Sequence, residues 1–418
     1  MHAIEKIFAK HSGRQSVTAG DVVTAKVDFA EINDLYLQTL YSFYEMGGEK
    51  VWDNSRAAFV FDHYAPAPTI KSAANQREMR EFAKKNHLKF HFDINSGVCH
   101  QVMAEAGVVC PGSIVVATDS HTTTHGAFGA VGTGCGATDM ACILMTGELW
   151  FRVPEIIEIR LEGAPAAGVF PKDVILYVVG QLKADGAVYQ AIDFTGSYVE
   201  NLSVAGRMTL CNMAVEMGAK TAYMQPNQAT LAYLAGRAVW PYQVETTDPG
   251  FVYETQYRFD VSAIEPQLSC PHSVDQVCPV SQVAAQDIPL DQGYIGSCTG
   301  GRVEDLEIAA KILRGRKIPA YSRLVIVPAS TEVLSACMER GILTDLINAG
   351  ATLTTPGCAA CLGTHEGILA PGEVCITSTN RNFPGRMGSN QARIYLASPA
   401  TVAASILNGK ITDPRAYL

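Results

Sequence analysis

The sequence predicts an α/β protein built from three consecutive α/β segments. Short runs rich in β-branched residues alternate with helix-like stretches, and Gly-rich turns follow several of these runs. Polar side chains cluster directly after the apolar runs, which is where ligands collect in parallel α/β sheets. Together these observations are typical of an enzyme.

The individual elements follow from the apolar patterns along the chain. Short β-branched runs predict strands over 58–62, 113–118 and 323–329. Helical patterns predict helices over 71–86, 137–150, 172–184, 303–314 and 331–340. We interpret the Pro-containing stretch 161–173 and the region 269–283 as breaks. The expected domains are therefore 1–160, 161–280 and 281–418.

Composition narrows the function classes. The chain has 418 residues, of which 48% are hydrophobic and 17% charged, as expected for a globular enzyme of two to four domains. No apolar run approaches the roughly 18 residues of a membrane helix, and the start does not resemble a signal peptide. We therefore expect a cytoplasmic protein without a membrane partner. The net charge of −9 gives no electrostatic reason to bind nucleic acid, so a small-molecule substrate is expected.

Four loops carry polar residues just after an apolar run. These candidates are Asp62 and His63, then His100, then Asp119, Ser120, His121 and His125, and finally Asn380, Arg381 and Arg386. His121 and His125 have the spacing of two zinc ligands on a helix, but their Thr-rich run is a poor helix and no Glu lies between them. We therefore do not favour a zinc pair there.

Two further loops leave alternatives open. Arg381 and Arg386 flank the turn Asn-Phe-Pro-Gly and could present two guanidinium groups to a carboxylate, or could belong to an ordinary surface turn. The Gly-rich stretch 126–140 contains GAVGTG but lacks the Lys-Ser/Thr of a phosphate-binding loop. We do not expect a nucleotide site.

The cysteines raise the sharpest question. Twelve cysteines in a chain without an export signal are expected to remain thiols, and Cys142 and Cys211 lie in apolar runs as buried hydrophobic residues. Cys358 and Cys361 form a Cys-x-x-Cys pair in TTPGCAACLGTH, which suits redox, zinc and iron-sulfur chemistry. Cys298 in GYIGSCTGGRVEDL provides a third thiol. Three thiolates suit a 4Fe-4S cluster with one open iron better than a four-ligand structural zinc site.

Four motifs resemble the aconitase superfamily, and within it the large subunits of 3-isopropylmalate dehydratase and homoaconitase. These motifs are ATDSHTTTHGAFGAVGTG, GSCTGGRVEDL, TPGCAACLGTHEG and STNRNFPGRMG. The resemblance runs over nearly the whole chain. It implies a 4Fe-4S hydro-lyase of three α/β domains that moves a hydroxyl group between adjacent carbons of a hydroxy di- or tricarboxylic acid.

The resemblance also implies roles for individual residues. It assigns the cluster to Cys298, Cys358 and Cys361, and proton handling around the leaving hydroxyl to Asp62, His63, His100, Asp119 and His121. Asn380, Arg381 and Arg386 match carboxylate-binding positions, and Ser120 and Asn33 are assigned to substrate binding. No residue is an obvious base. In single-chain relatives the base lies on a fourth, swivelling domain, so the resemblance implies a separate small subunit that carries it.

Three positions depart from the family pattern. The family usually has His-Asp-Gly-Thr where this chain has Asn33-Asp34-Leu35-Tyr36, so the substrate specificity is open. Gly300 replaces a usual Asn, and Asp193 stands where we expect a catalytic Glu. We favour 3-isopropylmalate dehydratase activity, with homoaconitase or a 2,3-dimethylmalate-type dehydratase as the alternative. An RNA-binding regulator and a structural-zinc protein are the alternatives from other classes.

Overall fold

The computed structural model describes residues 1–418 and confirms the α/β class. The strands are β1 (Val22–Lys26), β2 (Phe29–Asn33), β3 (Ala57–Val60), β4 (Phe90–Phe92), β5 (Ile114–Ala117), β6 (Val131–Gly134), β7 (Glu148–Arg152), β8 (Ile156–Glu162), β9 (Ala191–Thr195), β10 (Thr221–Tyr223), β11 (Thr255–Asp260), β12 (Gln267–Ser269), β13 (Val277–Pro279), β14 (Gln292–Gly296), β15 (Arg323–Val327), β16 (Thr352–Leu353), β17 (Val374–Thr377) and β18 (Arg393–Ala397).

Fourteen α-helices connect and cover these strands. They are α1 (Ala3–Ser12), α2 (Gln38–Glu45), α3 (Ile70–Lys85), α4 (Cys99–Glu105), α5 (Ala137–Thr146), α6 (Pro171–Leu182), α7 (Ser197–Glu200), α8 (Val204–Met213), α9 (Gln228–Leu234), α10 (Val280–Ala284), α11 (Val303–Leu313), α12 (Thr331–Glu339), α13 (Ile342–Ala349) and α14 (Pro399–Asn408). No helix is long and apolar enough to cross a membrane.

Two of the main sheets share one strand order. The first sheet is entirely parallel and runs β4-β3-β2-β5-β6. The third sheet contains the parallel run β18-β17-β14-β15-β16, extended at one edge by β12 and β13 in antiparallel pairing. In each sheet the chain moves outward from a central strand in one direction and then restarts on the other side. This reversal creates a crevice at the carboxyl ends of the two strands that flank it.

The remaining strands form a second parallel sheet, β10-β9-β8-β11, and a small antiparallel pair, β1-β7. The largest core cluster joins all three main sheets, because it contains Phe29 from the first, Ile192 from the second and Ile394 from the third. Two smaller clusters lie mainly around the first and third sheets. The three sheets thus pack against one another through a shared apolar interior.

The sheets differ from the expected segment boundaries. The expected boundary at 160 falls inside β8. The expected boundary at 280 assigns β12 and β13 to the second segment, although both strands belong to the third sheet. The stretch 161–173 is the connection from β8 to α6 rather than a link between segments. The Pro and Gly residues that suggested a break therefore mark an ordinary βα connection. A three-domain organisation that lacks a fourth, swivelling domain stays a prediction.

Most predicted helices begin and end within two residues of the observed ones, and 137–150 is the exception. The observed helix α5 ends at Thr146 because Gly147 adopts the left-handed conformation (φ 73°) and its N–H caps the helix at Ile143. The next residues form β7, which pairs with β1. The apolar pattern therefore continues past the end of the helix, because the glycine cap ends α5 and the residues after it form a strand.

Buried polar side chains fasten the sheets together. The Arg207 guanidinium is almost fully buried and donates to the carbonyl oxygens of Ala127 (3.2 Å), Val199 (3.2 Å) and Gln225 (2.7 Å). These carbonyls belong to the segments that follow β5, β9 and β10. One side chain therefore satisfies three backbone acceptors at the junction of the first and second sheets.

We expect Arg207→Met to destabilise the fold strongly, because it leaves three buried carbonyl oxygens without a donor. The expected loss is about 3 kcal/mol or more in the free energy of unfolding, measured by denaturant titration. Arg77→Met is the matched control, since Arg77 is 81% exposed and pairs only with Glu81. The control should change stability by less than about 1 kcal/mol. Equal stability of the two variants would contradict the role of Arg207.

Candidate active site

The crevices of the first and third sheets face each other across one cleft with a volume of about 160 Å³. Loops that follow β3 and β5 form one side of this cleft, and loops that follow β14 and β17 form the other. The two sides are joined directly, because the Cys358 N–H donates to the Asp62 carbonyl oxygen at 2.7 Å. The Thr364 hydroxyl also donates to the His63 carbonyl oxygen at 3.0 Å. The cleft is thus a fixed junction between the two sheets.

A network of acidic and imidazole groups occupies the first-sheet side. Asp119 caps the 3₁₀ helix Ser120–Phe128, and its carboxylate accepts the His121 N–H at 2.7 Å. The same carboxylate oxygen lies 3.0 Å from Nε2 of His100 on α4. His63 Nε2 lies 3.9 Å from the other oxygen of Asp119. One carboxylate therefore orients His100 and His121 and faces His63.

His63 is held between carboxylates. Its Nδ1 lies 2.7 Å from Asp62 Oδ1 and 3.7 Å from Asp34 Oδ1. Burial disfavours the charged ring, but the charges of Asp62 and Asp34 and their hydrogen bonds outweigh it and raise the pKa of His63 well above its usual value. Burial likewise opposes ionisation of Asp119, yet hydrogen bonds from His100 and His121 hold the pKa of Asp119 well below its usual value. At neutral pH the cleft therefore contains an imidazolium beside an ionised carboxylate.

Three buried thiols lie on the third-sheet side. Cys298 follows β14, whereas Cys358 and Cys361 lie at the 3₁₀ helix Ala359–Leu362. The Asn380 amide lies between Cys298 and the Cys358–Cys361 pair. Its Nδ2 lies 3.4 Å from Cys298 Sγ, and its Oδ1 lies 3.7 Å from Cys361 Sγ. Mutual interaction of the Cys358 and Cys361 thiols raises the pKa of Cys358, as burial also does, and lowers that of Cys361. All three sulfur atoms thus surround one corner of the cleft.

The spacing of these sulfur atoms bears on the kind of cofactor they suit. Tetrahedral zinc with Zn–S bonds of about 2.3 Å requires sulfur atoms roughly 3.8 Å apart. The one group of three potential ligands within 4.8 Å of one another is Asp34, Asp62 and His63, and it includes no thiol. The thiol triad is therefore wider than a single-ion site and suits a multinuclear cluster. Asp34 and Asp62 are instead the carboxylates that pair with His63.

A fourth thiol, that of Cys99, also lines the cleft but points elsewhere. Its sulfur lies 3.6 Å from His100 Nδ1, and its backbone N–H donates to Asp62 Oδ2 at 2.8 Å. Cys99 therefore belongs to the acid–imidazole side rather than to the thiol triad.

Two arginines supply positive charge. Arg381 Nε donates to Glu216 Oε1 at 2.8 Å, which fixes the guanidinium and leaves its two terminal nitrogens toward the cleft without an acceptor in the protein. Arg386 is 8% exposed; its Nη2 lies 3.7 Å from Cys361 Sγ, and its buried Nε has no hydrogen-bond partner in the protein. Buried guanidinium groups with spare donors fit the recognition of carboxylates.

The second sheet region contributes Glu216 and Asn212. The Glu216 carboxylate accepts from His121 Nε2 (2.7 Å) as well as from Arg381, and these partners lower its pKa although burial alone would raise it. The Asn212 amide donates to Cys298 Sγ at 3.1 Å. From α6, buried Lys172 Nζ donates to the carbonyl oxygens of Ser378 (3.1 Å) and Thr379 (2.7 Å) and so fixes the loop before Asn380. Side chains from all three sheets therefore hold the site.

Twelve of the fourteen residues that were given a site role from the sequence line this cleft. They are Asp62, His63, His100, Asp119, Ser120, His121, Cys298, Cys358, Cys361, Asn380, Arg381 and Arg386. His125 does not line the cleft; it is fully buried, with its ring 5.6 Å from that of His100. The roles assigned to the twelve residues remain predictions, but their shared location is a property of the structure.

Asn33 and Asp193, the other two residues given a role, do not line the cleft. Asn33 is fully buried at the end of β2, where its N–H donates to Thr118 Oγ1 at 3.1 Å. Asp193 lies in β9, and its carboxylate is bound by His2 Nε2 (2.9 Å) and the Tyr253 hydroxyl (2.8 Å). Glu216 is the carboxylate from this part of the chain that reaches the site.

Sequence reasoning missed Glu216 and Asn212 because they lie in an apolar run that indicated only buried structure. Their spacing of four residues was the available signal, since it places two polar groups on one side of a helix that is otherwise apolar. Asp34, Leu35 and Tyr36 were noted only as departures. The structure places Leu35 and Tyr36 in the wall of the cleft.

The departure at Gly300 has a steric explanation. A Cβ atom at this position would overlap Cβ and Oγ of Ser378, which follows β17. The Ser378 hydroxyl accepts the Gly296 N–H at 3.1 Å, so it holds the carboxyl ends of β14 and β17 together. A side chain at 300 and the hydroxyl at 378 therefore exclude each other.

Comparison with known proteins gives a consistent family. Residues 5–409 match the sequence model of the aconitase family, described as aconitate hydratase. A 3-isopropylmalate dehydratase large subunit from Methanopyrus kandleri is 48% identical over 99% of both chains. A probable methanogen homoaconitase large subunit from Methanothermobacter thermautotrophicus is 46% identical over 99% of this chain and 98% of its own. A 3-isopropylmalate dehydratase large subunit from Hydrogenobaculum is 44% identical over 98% and 96%.

We expect Gly300→Ala to lower the free energy of unfolding by about 1 to 3 kcal/mol, because the new methyl group overpacks against Ser378. Ser378→Gly alone should cost about 1 kcal/mol through loss of its hydrogen bond. The double variant should be more stable than the sum of the two losses, since glycine at 378 removes the overlap. Strictly additive losses in this double-mutant cycle would show that the two positions do not exclude each other.

Proposed function

This chain belongs to the aconitase family, and we propose that it is the cluster-bearing large subunit of a 4Fe-4S hydro-lyase. The favoured reaction is the interconversion of 2- and 3-isopropylmalate through an unsaturated intermediate. One observation carries the proposal: three buried thiols, an imidazolium–carboxylate network and two arginines with spare donors meet in a single cleft. A cluster-dependent hydro-lyase acting on a hydroxy dicarboxylic acid uses each of these groups: thiols as cluster ligands, an acid for the leaving hydroxyl and cations for the carboxylates.

The thiols of Cys298, Cys358 and Cys361 would hold the cluster. Three protein thiolates would leave one iron of a bound cubane without a protein ligand, and the cluster would supply Lewis acidity toward the substrate hydroxyl group. The donor set fits this assignment, because all three thiols are buried, lie at one corner of the cleft and are spaced more widely than a single zinc ion allows. Asn212 and Asn380 direct amide N–H groups at Cys298 Sγ, which stabilises a thiolate.

Proton transfer falls to the first-sheet side. Hydroxide is a poor leaving group, so a nearby acid must protonate it as the carbon–oxygen bond breaks. His63 is the best placed acid because its carboxylate neighbours keep the ring protonated. Asp119 orients His100 and His121 on the same wall. His63 thus holds the proton at Nε2, and Asp119, His100 and His121 provide hydrogen-bonding groups around the departing oxygen.

The arginines define the substrate class. Arg381 and Arg386 can each bind one carboxylate, and Glu216 fixes Arg381 for this task. The same positive charges stabilise the carbanion that develops when a proton leaves the carbon beside a carboxylate. The cleft also presents Leu35, Val98 and Leu362, which suit an apolar substituent such as isopropyl.

Homoaconitase is the second candidate because relatives of that name match the chain almost as well. A 2,3-dimethylmalate-type dehydratase fits the same cleft chemistry. These candidates differ in the substituent of the substrate rather than in the bonds that are made and broken. Turnover of a panel of 2-substituted malates by the purified enzyme would separate them.

The reaction also requires a partner chain. Relatives are named as large subunits, which implies a small subunit. In the cleft each carboxylate is already paired with an imidazole or a guanidinium, so no free base faces the position of the substrate. We therefore propose that a small subunit covers the cleft and contributes the group that removes the carbon-bound proton.

We expect Cys298→Ser, Cys358→Ser and Cys361→Ser each to abolish cluster binding, because a hydroxyl group replaces a thiolate poorly as an iron ligand. The measurement is iron content and visible absorption after anaerobic reconstitution, with about four irons expected per wild-type chain. Cys375→Ser is the matched control, since Cys375 is equally buried but lies within β17. Full iron content in all three variants would refute the ligand assignment.

We expect the reconstituted large subunit alone to turn over substrate at least about 10² times more slowly than its complex with the small subunit, because it lacks a base. The assay follows formation of the unsaturated acid by ultraviolet absorption, with and without the partner. Iron content is measured in both samples so that cluster loss is not mistaken for a missing base. Equal rates would overturn the split site.

A further inference from the structure

The turn after β2 is rigid because of one carboxylate. Asp34 is 1% exposed and accepts the N–H groups of His63 (3.1 Å) and Tyr64 (2.9 Å), as well as the Gln76 side-chain amide (3.0 Å). The Tyr36 N–H also donates to the Asn33 carbonyl oxygen at 3.1 Å. The backbone of this turn is therefore tied to the loop that carries His63, and Leu35 and Tyr36 are held in the wall of the cleft.

Tyr36 separates the cleft from a second cavity. This adjoining recess is open to solvent, has a volume of about 430 Å³ and shares Tyr36, Thr118, Asp119 and Ser120 with the cleft. Tyr36 is the largest of these shared side chains. Burial and the nearby charge of Asp119 raise the pKa of Tyr36, which agrees with a position beside the acid–imidazole network.

The recess contains one lysine, Lys220, whose pKa burial lowers and the nearby charges of Cys135 and Asp139 raise in part. Its side chain makes no ion pair or hydrogen bond with the protein, and its Nζ lies 5.8 Å from the ring centre of Tyr189. Val215 and Ala219 lie along the same wall. The recess thus combines apolar side chains with the Lys220 ammonium group. Tyr36 and Leu35 form the part of the cleft wall that lies next to it.

We propose that Tyr36 is the specificity-determining wall that limits the length of the substrate substituent, and that its removal opens the site to longer substituents ending in a carboxylate bound by Lys220. The inference rests on the proposed function for the identity of the reacting core. The native enzyme would then take a short apolar substituent, because a longer one meets the Tyr36 ring. Each excess methylene that a pocket cannot accommodate lowers kcat/KM by roughly 10-fold or more.

The test uses the reconstituted complex of large and small subunits and three 2-substituted malates, which carry isopropyl, isopentyl or a carboxyalkyl group as long as isopentyl. For the wild type we expect kcat/KM to fall at least about 10-fold from the isopropyl to the isopentyl substrate. Tyr36→Ala should reverse this preference, and Tyr36→Leu should give an intermediate ratio. Tyr36→Phe should keep the wild-type ratio, because the ring remains.

The role of Lys220 is tested in the same series. In the Tyr36→Ala background the carboxyalkyl substrate should be preferred over the isopentyl substrate, and adding Lys220→Met should abolish that preference. Tyr321→Ala is the control, since Tyr321 is 96% exposed. An unchanged substituent ratio in Tyr36→Ala, or an unchanged carboxylate preference after Lys220→Met, would overturn the proposal.

Calorimetric binding of the same compounds separates this result from the proposed function. Absence of turnover of every 2-substituted malate by the wild-type complex would contradict the proposed function. The shift in binding ratio between wild type and Tyr36→Ala would still decide whether Tyr36 limits substituent length. A ratio that moves at least about 10-fold toward the long substituents supports the wall, and an unmoved ratio refutes it.

Discussion

The carboxyl ends of two sheets with the same strand order face each other, and every group of the site depends on that alignment. One sheet brings acids and imidazoles, and the other brings thiols and guanidinium groups. The hydrogen bond from the Cys358 N–H to the Asp62 carbonyl oxygen fixes the two edges to each other. Neither sheet alone holds both a proton donor and a set of soft ligands, so the chemistry arises only at their junction.

Burial of so many charges is stable because nearly every one has a partner. Asp119, Glu216 and Asp62 are each matched by imidazole or guanidinium groups within hydrogen-bond or ion-pair distance. Glu31 differs, because burial and the neighbouring charges of Asp62 and Asp119 raise its pKa well above the usual value and keep it neutral. The cleft therefore retains spare hydrogen-bond donors at Arg381 and Arg386, where a substrate carboxylate would bind.

The sequence predicts local patterns better than it predicts partners across space. Helices such as α3 and α11, and the polar residues after β3, β5 and β17, follow from short-range signals, and their positions agree with the structure. Asp193 was misplaced because nothing near it in the chain reveals its contact with His2, which lies 191 residues away. Glu216 was missed for the converse reason, since its partners His121 and Arg381 come from other sheets. Strand pairing, rather than Pro and Gly content, decides which strands share a sheet, so the sheets do not follow the expected segment boundaries.

All three thiols belong to the sheet that is made last, which sets an order for assembly during synthesis. At about 5 to 20 residues per second, the 63 positions between Cys298 and Cys361 take the ribosome roughly 3 to 13 seconds. The imidazoles, Glu216 and Asn212 have emerged before the first of these thiols. The thiol corner is thus completed onto a scaffold that already exists, and a nascent chain released before Cys361 would carry the acid–imidazole half of the site without its full set of thiols.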